Sequence, residues 1–278
     1  MLSYRHAFHA GNHADVLKHL AEVLILQYLV QKEGKPLRYI DTHSGPGTYA
    51  LRASFSSKNR EFKSGIARLW DRGDLPSPVQ HYVDVVRSFN ASSELLFYPG
   101  SPAIASAILG AAHRLQFFEL HPADASILGG WVGRDRRIKV AQADGFLALK
   151  AILPPPERRA FVMIDPPYEV KTDYDRAISA LENSCKKFAT GVYALWYPLL
   201  DRDDVSGFVK KLKAMPVKSL LVEFPVQSLT GDGMRGSGLF IVNPPWILHK
   251  QLEDCLPYLH TALAESGASP WSIRSHRE

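Results

Sequence analysis

An α/β fold is predicted: a mostly parallel, doubly wound sheet of seven strands, with an antiparallel hairpin at its edge and a small helical insertion. Three observations predict it. Strand-length apolar runs alternate with helical stretches along most of the chain, the pattern of successive crossover units. Four of those runs end in acidic or glycine-bearing turns, where open α/β sheets bind their ligands. About seventy residues separate the turn at Gly45–Gly47 from the next long strand, where a βαβ unit of roughly 30 residues suffices, so a segment is inserted there. The chain has 278 residues, 46% hydrophobic and 22% charged, enough for one large domain with a packed core.

The elements follow in order. His13–Lys32 places Val16, Leu17, Leu20, Val23 and Leu24 at helical spacing, with Gly34 and Pro36 beyond its end, and reads as an amphipathic helix. Leu37–Asp41 reads as the first buried strand, entering the turn Thr42-His43-Ser44-Gly45-Pro46-Gly47. Further strands are expected at Leu115–Glu119, Ile138–Gln142, Phe161–Ile164, Val192–Trp196, Ser219–Phe224 and Gly238–Val242. Helices are expected at Pro102–Ala112, Pro122–Trp131, Gly145–Ile152 and Asp173–Phe188. The last two strands lack a good helical link, which makes them the antiparallel hairpin. Residues 1–50 and 99–278 form the expected sheet domain, and 51–98 a helical insertion with helices at Ile66–Arg72 and Pro78–Asn90.

The most informative residues are Ile164-Asp165-Pro166-Pro167-Tyr168 after Phe161-Val162-Met163. Proline donates no amide hydrogen, so this loop offers carbonyl oxygens beside an acceptor-only carboxylate. An exocyclic amine donates two hydrogen bonds, which Asp165 and the Pro166 carbonyl can accept while Tyr168 stacks on the ring. That chemistry suits an amino-methyltransferase. Asp41–Gly47, Glu119, Asp144-Gly145 and Asp165 end the first four strands in turn: backbone approach, ribose hydroxyls, an adenine edge and the reacting amine. The turn lacks both the Gly-x-Gly-x-x-Gly spacing of dinucleotide sites and the lysine of a P-loop. S-adenosylmethionine, which has no phosphates, fits such a turn. The plainer alternative is that Glu119 and Asp144 merely cap helices. Val242-Asn243-Pro244-Pro245-Trp246 is a second candidate of the same form; its position at the hairpin makes it a structural turn.

The amino-terminal run Tyr4 to Asp15, with Lys18 and His19, is dense in polar and aromatic groups. It matches no familiar zinc spacing, so no metal is expected. The bland reading is a solvated helix start with His13 and Asp15 near a cap. The sharper one is a strip facing RNA and closing over the cofactor: Arg5 and Lys18 on phosphate, Tyr4 and His6 on the base, His19 in the pocket. Charge agrees with a polyanionic partner: the net charge is +5, and residues 1–60 hold eight Lys/Arg against four acids. Two cysteines, Cys185 and Cys255, suit a reducing compartment. The apolar run Leu20–Val30 is too short to span a bilayer, so a cytoplasmic protein without membrane contact is expected. No hydrophobic repeat suggests obligate assembly, which makes a monomer the default.

With these pieces assembled, the sequence closely resembles the bacterial RlmJ family of 23S ribosomal RNA adenine-N6 methyltransferases. The matching stretches are MLSYRHAFHAGNHADVLKH, DTHSGPGTY, YPGSP, ELHP, ADGF, IDPPYEVKTDY, FATGVYALWYP and NPPW, from residue 1 to about 246. Ser44 and Pro46 depart slightly from the DTHAGAG of many relatives. The resemblance implies a Rossmann-like class I methyltransferase core and S-adenosylmethionine contacts from His19, His43, Ser101, Glu119, Asp144, Gly145 and Asp165. It further implies Asp165 as the catalytic residue, with Tyr4, His6, Lys18, Pro166 and Tyr168 toward the substrate RNA. Protein-free 23S rRNA or an early assembly intermediate is the expected substrate. Three other classes are disfavoured. A DNA adenine methyltransferase would want a separate target-recognition domain, a non-catalytic RNA-binding module would not need the Asp165–Tyr168 loop, and a nicotinamide dehydrogenase would need the other glycine pattern.

Overall fold

Burial on both faces decides which strands lie in the centre. The computed structural model describes residues 9–51 and 61–277. In it β6 (Ala160–Ile164) is buried at every position, flanked by β1 (Arg38–Asp41) and β7 (Val192–Leu199). Beyond β1 lie β4 (Arg114–Glu119) and then β5 (Ile138–Gln142), and these five strands are parallel. On the other side, β9 (Gly236–Val242) runs antiparallel between β7 and β8 (Ser219–Pro225), and β10 (Ser272–His276) closes the edge antiparallel to β8. Chain order thus moves outward in opposite directions from the β1–β6 boundary, the topological switch point where α/β sheets bind ligands.

The sheet differs from expectation in two ways. It has eight strands, because β10 comes from the carboxy-terminal region that carried no sequence expectation. The hairpin is antiparallel as expected, but β9 lies inside the sheet, not at its edge. Gly238 permits this: a Cβ there would fall 2.0 Å from the Tyr197 ring, so a side chain would exclude the β7 tyrosine crossing it.

Alternation along the strands divides the core in two. Tyr39, Phe161 and Met163 face α1 (His13–Val30), α4 (Ser101–Ile108) and α9 (Leu248–Leu263). Ile40, Val162 and Ile164 face α6 (Gly145–Ile152), α7 (Thr172–Lys187) and α8 (Asp203–Ala214). α5 (Pro122–Val132) packs beside β4 and β5. Between the short strands β2 (Thr48–Ala50) and β3 (Phe97–Pro99) come a 3₁₀ turn, Glu61–Ser64, then α2 (Ala67–Trp70) and α3 (Ser77–Arg87). Val79, Tyr82, Val83 and Val86 of α3 join the α1 core.

Here α1 departs from a simple amphipathic helix. Ala14 to Leu26 are all buried, Asp15, Lys18, His19 and Glu22 included, because α3, α4 and α9 pack around the side turned from the sheet. Its start is therefore capped but not solvated: the Asn12 side chain accepts from the amides of Ala14 and Asp15. Among the described residues, no helix is long and apolar enough to cross a membrane.

Candidate active site at the switch point

The start of α1 and the carboxyl ends of β1, β4 and β6 enclose a cavity of about 560 Å³. Asp165 follows the last residue of β6, and its Oδ2 lies 2.5 Å from Lys18 Nζ. Lys18 also contacts Asp15 Oδ1 at 2.8 Å, while Asp15 Oδ2 accepts the Gly11 amide at 2.9 Å. Burial alone would lower the Lys18 pKa, yet the two facing carboxylates raise it well above the ordinary lysine value. Lys18 is thus a fixed cation between two acids, nearly closed to solvent at 4% exposure.

A second polar layer lies beneath. The Tyr39 hydroxyl is 2.8 Å from Glu22 Oε1 and 3.2 Å from Asp41 Oδ2. Burial pushes Glu22 well above the usual carboxylate range, opposed by the hydrogen bond from Tyr39. Burial also pushes Asp41 up to about 6, opposed by the Ser101 hydroxyl at 2.6 Å and the His43 amide at 3.2 Å. These bonds fix the turn after β1 against α4. The same turn is tied to β4, since the Gly45 amide donates to Glu119 Oε2 at 2.8 Å and the His121 amide to Oε1 at 2.7 Å. Each Glu119 oxygen has capacity for one further hydrogen bond, as a ribose diol requires.

Other side chains shape the walls. His19 Nδ1 lies 2.7 Å from the Tyr98 hydroxyl, itself 2.9 Å from that of Tyr82 on α3. Burial lowers His43 to about 4, leaving it neutral, with its ring 4.7 Å edge-on from Phe146. Asp144 caps α6 through the Leu147 amide at 3.2 Å and pairs with Arg176, whose guanidinium lies 4.8 Å over the Phe146 ring. Gly145 permits the tightest approach, because a Cβ there would meet the Thr42 carbonyl oxygen at 2.0 Å. Tyr168 adopts φ +51° and turns its hydroxyl inward to the Trp196 carbonyl at 2.7 Å, with its ring 4.5 Å from Tyr174.

Of the sequence candidates, His19, His43, Ser101, Glu119, Asp165, Lys18, Pro166 and Tyr168 line one cavity. Asp144 and Gly145 do not line it; they hold the first turn of α6, from which Phe146 does. Tyr4 and His6, like Arg5, lie outside the described residues. Asn243 ends the antiparallel β9 and so stands at the opposite end of the sheet, its amide donating to the carbonyls of Ala189 and Gly191 at 2.7 and 2.8 Å. It is the turn expected. Sequence reasoning missed the ion pairing of Asp15, and also Tyr98, Tyr174, Trp196 and Arg176. The spacing of Asp15 and Lys18, three apart on one helix face, is a signal that was available; the others meet only through tertiary packing.

The cavity fits a nucleoside cofactor beside a flat base. His121 Nδ1, Tyr174 Oη and Trp196 Nε1 all belong to its lining residues, and each is a buried polar atom without a partner among the described residues. Such atoms call for a polar ligand. A switch-point cavity in this sheet order, with a glycine turn after the first strand, acids at the ends of the next ones and an Asp-Pro-Pro-Tyr loop, defines a class I S-adenosylmethionine-dependent methyltransferase. The family described as ribosomal RNA large subunit methyltransferase D, RlmJ, matches residues 34–274. The chain is 46% identical over 269 residues to ribosomal RNA large subunit methyltransferase J of Escherichia coli K12, covering 96% of each chain. It is 45% identical over 276 residues to the protein of the same name from Haemophilus influenzae, covering 98% of each. A crystal structure of a Legionella pneumophila protein superposes with a TM-score of 0.90 at 38% identity, covering 96% of this chain and 98% of that one. This chain belongs to the RlmJ family.

Proposed function

We propose that this protein transfers the methyl group of S-adenosylmethionine to the exocyclic N6 of an adenine in 23S ribosomal RNA. The observation that carries the reading is Asp165, held at the switch point by Lys18 in a cavity walled by Tyr168, Tyr174 and Trp196. When bound, S-adenosylmethionine supplies an electrophilic sulfonium methyl. His19, His43, Ser101 and Glu119 are the residues placed to hold it, with Asp144 and Gly145 supporting from the start of α6. The names of the two curated relatives support ribosomal RNA of the large subunit as substrate.

The N6 lone pair is delocalised into the adenine ring and attacks poorly until the nitrogen becomes more tetrahedral. Lys18 engages Oδ2 of Asp165 and leaves Oδ1 to accept one N6 hydrogen, while the Pro166 carbonyl accepts the other. Fixing both hydrogens turns the lone pair out of the ring plane and aims it, so positioning and electrostatics supply most of the acceleration. The target adenine must be unpaired or extruded to reach the aromatic wall. Tyr4 and His6 complete the RNA side in this reading. Residues 51–98 are an insertion whose Tyr82 braces His19 through Tyr98. The protein acts as a monomer in the cytoplasm, on protein-free or early-assembly RNA.

Labelled methyl transfer to protein-free 23S RNA, assembled large subunits and duplex DNA, with the product nucleoside identified, tests the reading. N6-methyladenosine in RNA alone supports it; label in duplex DNA, or none in RNA, refutes it.

A further inference from the structure

The Asn243-Pro244-Pro245-Trp246 turn has no part in the cavity, yet it is firmly built. Asn243 sits at φ +51°, pinned by its two side-chain hydrogen bonds, and the Leu248 amide closes on the Pro245 carbonyl at 2.9 Å. The turn presents Trp246 with 78% of its surface exposed, beside a shallow cleft lined by Tyr28, Leu29 and Lys218. A rigid turn that holds an indole out in water gains nothing in stability from that indole.

The surroundings are cationic. The Asn243 amide donates to the Lys218 carbonyl, and the Arg38 amide to that of Arg159, while Arg38 stands opposite Arg114 in the register. The amino-terminal ends of the strands thus bring Lys218, Arg159, Arg38 and Arg114 to one pole, and the end of α7 adds Lys186. Arg38 is neutralised by Glu157 at 2.8 Å. Arg114 and Arg159 instead donate to backbone carbonyls, and neither they nor Lys218 form an ion pair with an acid among the described residues. At the catalytic pole the buried cation Lys18 is instead held between Asp15 and Asp165, and Asp144 is paired with Arg176. Lys171, Arg176, Arg202 and Arg235 stand at the carboxyl ends, so cations are present at both poles, roughly 17 Å apart along the strands.

We propose that this pole is a second RNA-contact surface, on which Trp246 stacks an unpaired base, Lys218 and Arg159 meet the flanking phosphates, and Arg114, four strands away, meets one further along the chain. The inference rests on the RNA substrate proposed above. An exposed aromatic face beside Lys218 and Arg159, cations in no ion pair among the described residues, is the arrangement that holds single-stranded nucleic acid, and a long RNA can reach both poles where a short one reaches one. An acidic protein docked on the same face would leave RNA affinity and its salt dependence untouched, which separates the two occupants.

The test compares two RNAs, protein-free 23S RNA and a short hairpin carrying the mapped target adenine. Trp246→Ala is expected to weaken binding of 23S RNA and raise its KM roughly ten-fold, with kcat and KM on the hairpin unchanged. The Arg114→Ala/Lys218→Ala double variant is expected to lower the slope of log affinity against log salt by about 1.5 on 23S RNA and not on the hairpin. Wild-type affinity and salt slope in both variants would overturn the proposal, as an acidic protein occupant requires. Equal losses on both RNAs would overturn it too. Selective loss of 23S binding in the variants of an enzyme that methylates neither RNA would keep the surface and sink the proposed reaction instead.

Discussion

Replacing Lys18 by methionine removes one charge from a site built around it. In the folded chain Lys18 Nζ sits 2.8 Å from Asp15 and 2.5 Å from Asp165, and Asp15 has no exposed surface. Methionine keeps the length of the stem, so the loss is electrostatic and not a cavity. Removing one partner of a buried ion pair costs about 3–5 kcal/mol, because the remaining charge stays desolvated. The lower figure corresponds to a drop in Tm of roughly 6–12 °C. The pH dependence has a definite sign. The folded Lys18 pKa is raised, so its contribution is complete below the ordinary lysine value of 10.5 and is lost only as pH climbs through the folded value. The wild type therefore keeps it at any pH near neutrality. Urea unfolding of both proteins at pH 7.5 and 5.5 measures this. A difference under about 1 kcal/mol at either pH would refute the buried-triad account.

Three more outcomes are expected. Asp41, raised to about 6 from 3.8, stabilises the folded chain fully below pH 3.8 and loses that contribution as pH rises through 6, so Asp41→Asn flattens the stability profile across this window; unchanged slopes contradict it. Gly145→Ala drives a methyl group into the Thr42 carbonyl, so α6 must shift, costing about 1–3 kcal/mol and weakening S-adenosylhomocysteine binding by calorimetry; wild-type affinity would show that the contact yields freely. Asn243→Ala loses two hydrogen bonds and about 1–3 kcal/mol in thermal unfolding, while kcat on a short RNA stays at the wild-type value; a lost kcat would place Asn243 in the chemistry.

The parallel half of the sheet was most legible where a strand is buried on both faces and reads as a continuous apolar run: β6, expected at Phe161–Ile164, spans Ala160–Ile164 with every position buried. The acids that close β4 and β6 were legible for the same reason. Less was visible where Gly207 interrupts α8, although Val205, Phe208, Val209 and Leu212 hold helical spacing. The place of β9 inside the sheet depends on Gly238 yielding room to Tyr197, a contact between residues 41 apart that no local pattern encodes. Lys18 read as a phosphate contact because an isolated lysine among aromatics looks solvated. Its burial comes from the Asp165 loop and Trp196 of β7 closing on its ammonium, and a tertiary cause leaves no mark within the helix itself.

The central claim is that Asp165 grips the reacting amine. Single-turnover methyl transfer to protein-free 23S RNA by the wild type and by Asp165→Ala, beside calorimetric binding of S-adenosylhomocysteine to each, tests it most directly. The account predicts that the variant forms no N6-methyladenosine while still binding S-adenosylhomocysteine. Transfer by Asp165→Ala at the wild-type rate would contradict it.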